Sequence, residues 1–300
     1  MRRIYVIVLG LALVLLLAYL ISRLPIFAEK AFVEDTAEPL VNIPYISLEE
    51  PFPPLNEPED NLSTLEKVAL GRLLFFDPVL SEKNDIACAS CHWPELGLSD
   101  GRTTSIGISG NSVPRNAPTL WNVGYVRNLF WDGRVKSLEA QVIFPLTNLD
   151  EMGVRDTDVL AAELLTYPEY AALFADAFPS ETISVAQIGK ALAAYQRTFI
   201  SDDSPFDRYA AGNLEALTPA QQRGLALFRS TKTHCVDCHT FPTFSSESFC
   251  VVGVESDDVG RAAVIENGLI GSFDMVQMRA KKPVVPLQFN KQIAPVKHNK

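Results

Sequence analysis

The chain is short of positive charge. Its 300 residues carry 26 lysines and arginines against 36 aspartates and glutamates, a formal net charge of −10. A nucleic-acid-binding surface needs a basic footprint, so this balance argues against nucleic acid as a partner. Hydrophobic residues at 47% and charged residues at 21% are ordinary for a globular protein, and the length is enough for two domains with cores of their own.

Histidine and cysteine are also scarce, and most of them fall in two short stretches. Four of the five cysteines and two of the four histidines lie in Cys88-Ala89-Ser90-Cys91-His92 and Cys235-Val236-Asp237-Cys238-His239. C-x-x-C-H is the attachment signal of c-type haem, in which both thiols bond to the porphyrin and the histidine ligates iron. The sequence therefore predicts two covalently bound haems, with His92 and His239 as axial ligands of iron.

Two other readings of the cysteines remain. C-x-x-C pairs also build structural zinc sites and redox dithiols. Zinc ligands usually come in close clusters, whereas these motifs lie far apart in the sequence and each carries its own histidine. The fifth cysteine, Cys250, is expected to be a free thiol in a small apolar site rather than part of an intermolecular disulfide.

The N-terminus predicts export from the cytoplasm. An uncharged apolar run, Ile4 to Ile21, follows Arg2-Arg3 and is long enough for a tilted transmembrane helix. No clear cleavage site follows, so residues 1–24 are expected to be an uncleaved membrane anchor, with a cleaved signal as the alternative. Residues 25–60 are rich in proline and acid, which is typical of an extended linker. Because haem is attached through thioethers outside the bacterial cytoplasm, the expected location is the periplasm.

A pattern ahead of each C-x-x-C-H motif indicates an internal repeat. Helix start signals at Ser63 and Thr218 each precede a G-x-x-L-F segment, at 71–75 and 224–228. Further helices are predicted over 158–178 and 184–199, and no β-rich stretch competes. The second of these carries an apolar stripe that favours core packing: Val185, Ile188, Leu192, Tyr195 and Phe199. The expected fold is mainly α: two cytochrome c-like haem domains in tandem, residues 61–205 and 206–300, behind an N-terminal transmembrane helix.

The segments between the motifs resemble one family. Residues 114–119 read P-R-N-A-P-T, 130–134 read F-W-D-G-R, 138–141 read L-E-A-Q, and Glu151-Met152 follow. In these segments the chain resembles the bacterial di-haem cytochrome c peroxidases, which include the MauG-type enzymes.

The resemblance implies a role for each haem and for four side chains. The haem on His92 is expected to be the peroxide site, and the haem on His239 is expected to pass electrons to it. Gln141 and Glu151 would line the distal pocket, with Glu151 as acid–base. Trp131 would be the electron bridge between the haems, and Asn116 would ligate a calcium ion.

The chain departs from the family pattern in two places. Many members follow S-I-G with a histidine that closes the resting iron, whereas this chain has Ile108, so the first iron is expected to be open. After Arg261 the similarity fades, and no sixth ligand of the second haem can be assigned. Met275 and Met278 are weak candidates for it.

These features predict a membrane-anchored, periplasm-facing peroxidase. It would reduce hydrogen peroxide with electrons from a small cytochrome c or cupredoxin, and a homodimer remains open. The first alternative is a MauG-like oxidase that modifies a partner protein. The second is a di-haem electron carrier without chemistry of its own.

Overall fold

The computed structural model describes residues 52–179, 182–250, 258 and 260–263. All of them belong to one unit of the chain, Pro44–Lys300. The helices are α1 (Leu65–Phe76), α2 (Cys88–Cys91), α3 (Leu138–Thr147), α4 (Thr157–Leu165), α5 (Pro168–Ala177), α6 (Val185–Gln196), α7 (Pro205–Ala210), α8 (Pro219–Phe228) and α9 (Cys235–Cys238). Short 3₁₀ turns lie at Glu59–Asn61, Pro78–Leu80, Pro94–Leu96, Ile108–Gly110, Val123–Tyr125, Leu214–Ala216 and Gly260–Ala263.

The described residues confirm the mainly α prediction. Long loops connect the helices, and extended pairing within this part of the chain is limited to isolated bridges such as Leu129 with Val135. The predicted anchor at residues 1–24 lies outside the described residues, as does most of the linker. Within the ranges described, no helix is long and apolar enough to cross a membrane.

The core is built on the crossing of α1 and α6. A Cβ atom on Gly71 would lie 2.0 Å from the carbonyl oxygen of Ala191, so only glycine allows the two helices to approach this closely. Beside the crossing, the Phe75 ring packs edge-on against Tyr195 and Phe199, with centroids 5.5 and 5.6 Å away. The predicted apolar stripe on α6 is therefore core packing, as expected.

Helix boundaries differ from the prediction at two points. Thr64, not Ser63, caps α1, because its side chain accepts from the Lys67 amide while Ser63 binds Glu57. The single helix predicted over 158–178 is two helices, since α4 ends at Leu165 and Pro168 starts α5. A residue before proline is disfavoured in the helical conformation, which accounts for the break.

The second helix of the repeat begins as predicted but packs differently. Thr218 and Gln221 form a reciprocal capping box at the start of α8. None of its side chains is buried against other described residues, and nothing lies within 4 Å of a Cβ placed on Gly224. Among the described residues, another element thus approaches closely at Gly71 and not at Gly224. The division into two haem domains stays a prediction.

Candidate active site

A cavity of about 730 Å³ lies beside the first motif. Cys88, Cys91 and His92 form part of its wall, and most of the remaining wall is apolar. Ligand cavities in proteins typically measure about 300–1,000 Å³, so there is room here for a large, mainly apolar group. The apolar lining is supplied by α1, α3 and the loops between them, including Phe75, Leu120, Val142 and Leu146.

The His92 ring is oriented by the main chain. Its Nδ1 lies 2.9 Å from the carbonyl oxygen of Leu98, which requires this nitrogen to carry the proton and donate. The lone pair is then on Nε2, the nitrogen that an iron would take. Burial lowers the pKa of His92 below its usual value, which keeps the ring neutral and able to ligate.

Burial favours the protonated form of both thiols in the first motif. Burial raises the pKa of Cys88 to about 12 and that of Cys91 to about 11. Zinc sites and redox dithiols rely on thiolates, which these surroundings disfavour. Among the described residues, no three His, Cys, Asp or Glu side chains are placed to hold a metal ion together. The size and apolar lining of the cavity fit a haem, and its covalent attachment stays a prediction.

Glu151 and Gln141 line the same cavity as His92, and their place on the distal side of a haem stays a prediction. Gln141 projects from α3, and Glu151 lies in the turn that follows this helix. The Asn148 side-chain amide donates a 2.7 Å hydrogen bond to Glu151 Oε1. Burial raises the pKa of Glu151, while the Asn148 bond and the charge of Arg134 act in the opposite direction. A half-buried carboxyl of this kind is suited to proton transfer.

The loop at Gly107 fixes the backbone of Glu151. The Ile108 amide donates to the Glu151 carbonyl at 2.8 Å. A Cβ on Gly107 would lie 1.8 Å from the Asp150 carbonyl oxygen, so a side chain there would push the two loops apart. Gly107 thus allows the contact that sets the position of the carboxyl.

Ile108 itself does not line the cavity. Its side chain is buried against Gly153, where a Cβ would lie 3.1 Å from the isoleucine Cδ1. The residue contacts the Glu151 turn through its backbone amide, and its place relative to the iron stays a prediction. Of the histidines that the structure describes, His92 alone lies on the cavity wall. An open first iron stays a prediction.

Trp131 and Asn116 contact each other at the cavity wall. The indole Nε1 of Trp131 donates to the backbone carbonyl of Asn116 over 3.1 Å. This bond fixes the indole, as a bridging role would need. It also occupies the Asn116 carbonyl, and the calcium ligand role of Asn116 stays a prediction.

A charged network that the sequence did not reveal lies on the same wall. Arg115 donates to Asp132 at 2.9 Å and, through two nitrogens, to Asp258 at 2.6 and 2.7 Å. Arg134 binds Asp132 at 2.7 Å and stacks over the Phe130 ring, 3.6 Å from its centroid. Both arginines lie inside the segments that carry the family resemblance, and this was the only signal for them in the sequence.

The second motif repeats the local geometry of the first. The Nδ1 of His239 lies 3.1 Å from the carbonyl oxygen of Phe244, which again leaves the lone pair on Nε2. Four phenylalanines surround this turn: Phe206, Phe228, Phe241 and Phe244. The Cys250 side chain is a hydrogen-bond partner of Cys238, a contact that raises the pKa of the Cys238 thiol. His234 is exposed and pairs with Asp237 at 3.0 Å, outside the site.

Comparison with known proteins agrees with this geometry. The sequence profile described as di-haem cytochrome c peroxidase matches residues 65–215. The methylamine utilization protein MauG of Methylophilus methylotrophus is 41% identical over 209 residues, covering 69% of this chain and 62% of that protein. The cytochrome c peroxidase Ccp of Escherichia coli K12 is 37% identical over 224 residues, covering 72% of this chain and 47% of that protein.

Solved structures include a similar fold. The crystal structure of a MauG-like protein associated with microbial copper homeostasis superposes with a TM-score of 0.67 at 32% identity. The match covers 79% of this chain and 74% of that one. By contrast, the chain spans only about half to three-fifths of the length of the two relatives compared by sequence.

Proposed function

Because this chain belongs to the di-haem cytochrome c peroxidase family, a family of oxidoreductases, we propose that it reduces hydrogen peroxide at the cavity beside His92. The reaction consumes one peroxide, two electrons and two protons and yields two waters. One observation supports this proposal more strongly than any other observation does. A single cavity holds an imidazole oriented for iron and a half-buried carboxyl suited to proton transfer.

Three residues would hold the first haem. Cys88 and Cys91 would form the thioether bonds, and His92 Nε2 would be the axial ligand. Once bound, the haem supplies an iron that takes up peroxide and exchanges electrons. The equivalent residues of the second haem are Cys235, Cys238 and His239.

Glu151 would move the proton within the peroxide. Its carboxylate takes the proton from one oxygen and returns it to the other, so that the second oxygen leaves as water when the O–O bond breaks. Asn148 holds the carboxyl in place through the 2.7 Å bond. Gln141 would hold the peroxide by hydrogen bonding without adding charge.

Trp131 would carry electrons toward this cavity. Its indole lies on the wall and is fixed at Nε1, so it offers a conjugated group in one defined place. The electrons would come from a small cytochrome c or cupredoxin. A net charge of −10 would steer a positively charged donor to the surface.

The proposal also includes a cellular location, a calcium site and an assembly state. Thioether attachment of haem points to the periplasm, and the apolar run at Ile4–Ile21 would anchor the chain in the inner membrane. Asn116 would contribute to a calcium site, and the assembly would be a monomer or a homodimer.

Steady-state turnover of the haem-loaded protein tests the peroxidase function. With reduced small cytochrome c and peroxide, we expect two cytochromes oxidised for each peroxide consumed. Glu151→Gln should slow this turnover strongly, while Glu169→Gln, an exposed acid on α5, should not. Turnover by the Glu151→Gln protein at the normal rate would overturn the role of Glu151 and with it the proposed chemistry.

A MauG-like oxidase is the second candidate, because relatives named MauG are 41% and 43% identical to the chain. Such an enzyme should react with peroxide in a single turnover but consume it slowly with cytochrome alone. It should then oxidise an aromatic side chain of a partner protein, which mass spectrometry would detect. The electron-carrier alternative has no use for a half-buried carboxyl in the cavity, and it predicts no reaction with peroxide at all.

A further inference from the structure

Four residues from two distant parts of the chain form a charged latch, and three of them, Arg115, Asp132 and Asp258, line the cavity. The four are Arg115 and Asp132 from the first part, and Asp258 and Arg261 from beyond the second C-x-x-C-H motif. Besides the bonds between Arg115 and the two aspartates, the Arg261 guanidinium donates to the Asp132 backbone carbonyl at 2.7 Å. Asp258 is further fixed by the Gly260 amide at 2.8 Å.

The latch lies next to the hydrogen bond that fixes the Trp131 indole. Trp131 is bonded to Asn116, and the residues adjacent to these two, Asp132 and Arg115, are bonded to each other. Residues 115–116 and residues 131–132 are thus joined by two neighbouring hydrogen bonds. One is donated by the Trp131 indole and the other by the Arg115 guanidinium. The carbonyl that receives the indole N–H therefore belongs to the residue next to Arg115.

Further contacts bring the same C-terminal segment against the loop that carries Trp131. A Cβ on Gly133 would lie 2.3 Å from Phe249 Cζ and 3.0 Å from an Arg261 nitrogen, so glycine is needed where this segment crosses. At the other end of the loop, the Arg127 amide donates to the Glu247 carboxylate at 2.8 Å. The loop at 127–134 is therefore held by side chains that follow the second motif.

We propose that Asp258 and Arg261 are positioning residues that set the place of the Trp131 indole on the cavity wall. They act through Arg115 and the Asp132 carbonyl and do not touch the reacting atoms. The inference rests on the proposed role of Trp131 as the electron bridge. It adds that residues beyond the second motif control the bridge of the first cavity.

The position of the indole can be read without measuring activity. Incorporating 5-fluorotryptophan gives three fluorine signals, one for each tryptophan, and Trp131→Phe identifies the signal of interest. In the haem-loaded protein, the paramagnetic iron makes this signal sensitive to position. We expect Asp258→Asn to move the Trp131 signal while the other two stay in place, and Asp258→Glu to restore it.

Asp203→Asn is the matched control. Asp203 also pairs with an arginine, Arg208 at 2.8 Å, but it is exposed and lies outside the cavity wall. Its loss should leave all three signals unchanged. If Asp258→Asn also leaves the Trp131 signal unchanged, the positioning role is refuted, whatever the catalytic activity.

A double-mutant cycle connects the position to electron flow. After fully reduced protein is mixed with peroxide, the electron supply to the first site is followed by haem absorbance. We expect Asp258→Asn to slow it about tenfold, since misplacements of about 1 Å cost this much or more. The rate of the initial reaction with peroxide should not change.

The Trp131→Phe background separates the inference from the proposed function. If Asp258 acts through Trp131, adding Asp258→Asn to Trp131→Phe should slow electron supply no further. If Asp258→Asn slows electron supply in the Trp131→Phe protein as much as it does in the unmodified protein, the inference is overturned, while the bridging role of Trp131 is unaffected. If Trp131→Phe alone has no effect on electron supply, Trp131 is not the electron bridge, and the latch has no effect on electron supply through it. The fluorine signals still report whether Asp258 positions the indole.

Discussion

The contact between Asn148 and Glu151 allows proton transfer to be separated from positioning. Glu151→Gln removes the proton carrier but keeps a side chain of the same size whose oxygen can still accept from Asn148. General acid–base help is typically worth about 10²–10⁴-fold, or about 2.7–5.4 kcal/mol of barrier. We therefore expect kcat/KM for peroxide to fall about 10²–10⁴-fold with the haem spectrum unchanged.

Asn148→Ala should cost less, because the carboxyl remains. It removes one hydrogen bond to a charged group, worth about 1.5–3 kcal/mol when fully buried and less at a half-buried site. We therefore expect a loss of no more than about tenfold to a hundredfold, which places this variant between Glu151→Gln and the exposed control Glu169→Gln. The order of the losses in kcat/KM for the three variants, measured under one set of conditions, tests whether Glu151 transfers the proton and Asn148 positions its carboxyl.

The pH profile gives an independent check on the same pair. The carboxylate is the form that takes the peroxide proton, so kcat/KM should fall as pH drops through the pKa of Glu151. Burial raises this pKa, and the Asn148 bond lowers it. Removing the bond should therefore raise the pKa further and move the acid limb of the profile to higher pH. An acid limb at the same pH in Asn148→Ala as in the unmodified protein would refute this reasoning. A loss of kcat/KM in Asn148→Ala as large as that in Glu151→Gln would refute it as well.

Three further predictions concern the scaffold and the cofactor. Gly71→Ala should lower the melting temperature of the haem-loaded protein by several degrees, since overpacking costs about 1–3 kcal/mol. Gly224→Ala, at the equivalent place in the repeat, should raise the melting temperature slightly, because none of the described residues blocks its Cβ and alanine favours helix by about 0.5–1 kcal/mol. Gly107→Ala should displace the Glu151 turn and reduce peroxide turnover while both haems are retained, and turnover at the normal rate would contradict that placement. The double variant Cys88→Ala with Cys91→Ala should lower the covalently bound haem from two per chain to one, as measured by the pyridine haemochrome assay; an unchanged ratio would contradict attachment at the first motif.

Local patterns in the sequence predicted what depends on neighbouring residues. The axial histidine, the capping box at Thr218 and the apolar stripe on α6 each follow from spacing over one or two helical turns, and the structure has the cap and the stripe as expected. The turn that brings Glu151 into the cavity was implied only by resemblance. Its partner Asn148 was missed, because an asparagine after a helix is usually a cap.

Contacts between distant segments could not be predicted in this way. Arg115 and Asp258 are 143 residues apart, and nothing in either local pattern indicates the other. The direction of the Ile108 side chain could not be predicted for a similar reason, since a residue's place in a motif does not determine which way its side chain points. Its burial against Gly153 depends on how two loops cross.

Asp258 has a consequence for how such proteins can be recombined. It follows the second C-x-x-C-H motif in the sequence, yet it forms part of the wall of the cavity beside the first motif. A chimera that joined residues 61–205 to the other half of a relative would therefore take part of the wall of the cavity beside His92 from that relative. Exchange between family members at that border should succeed only where the incoming half brings a carboxylate to meet Arg115.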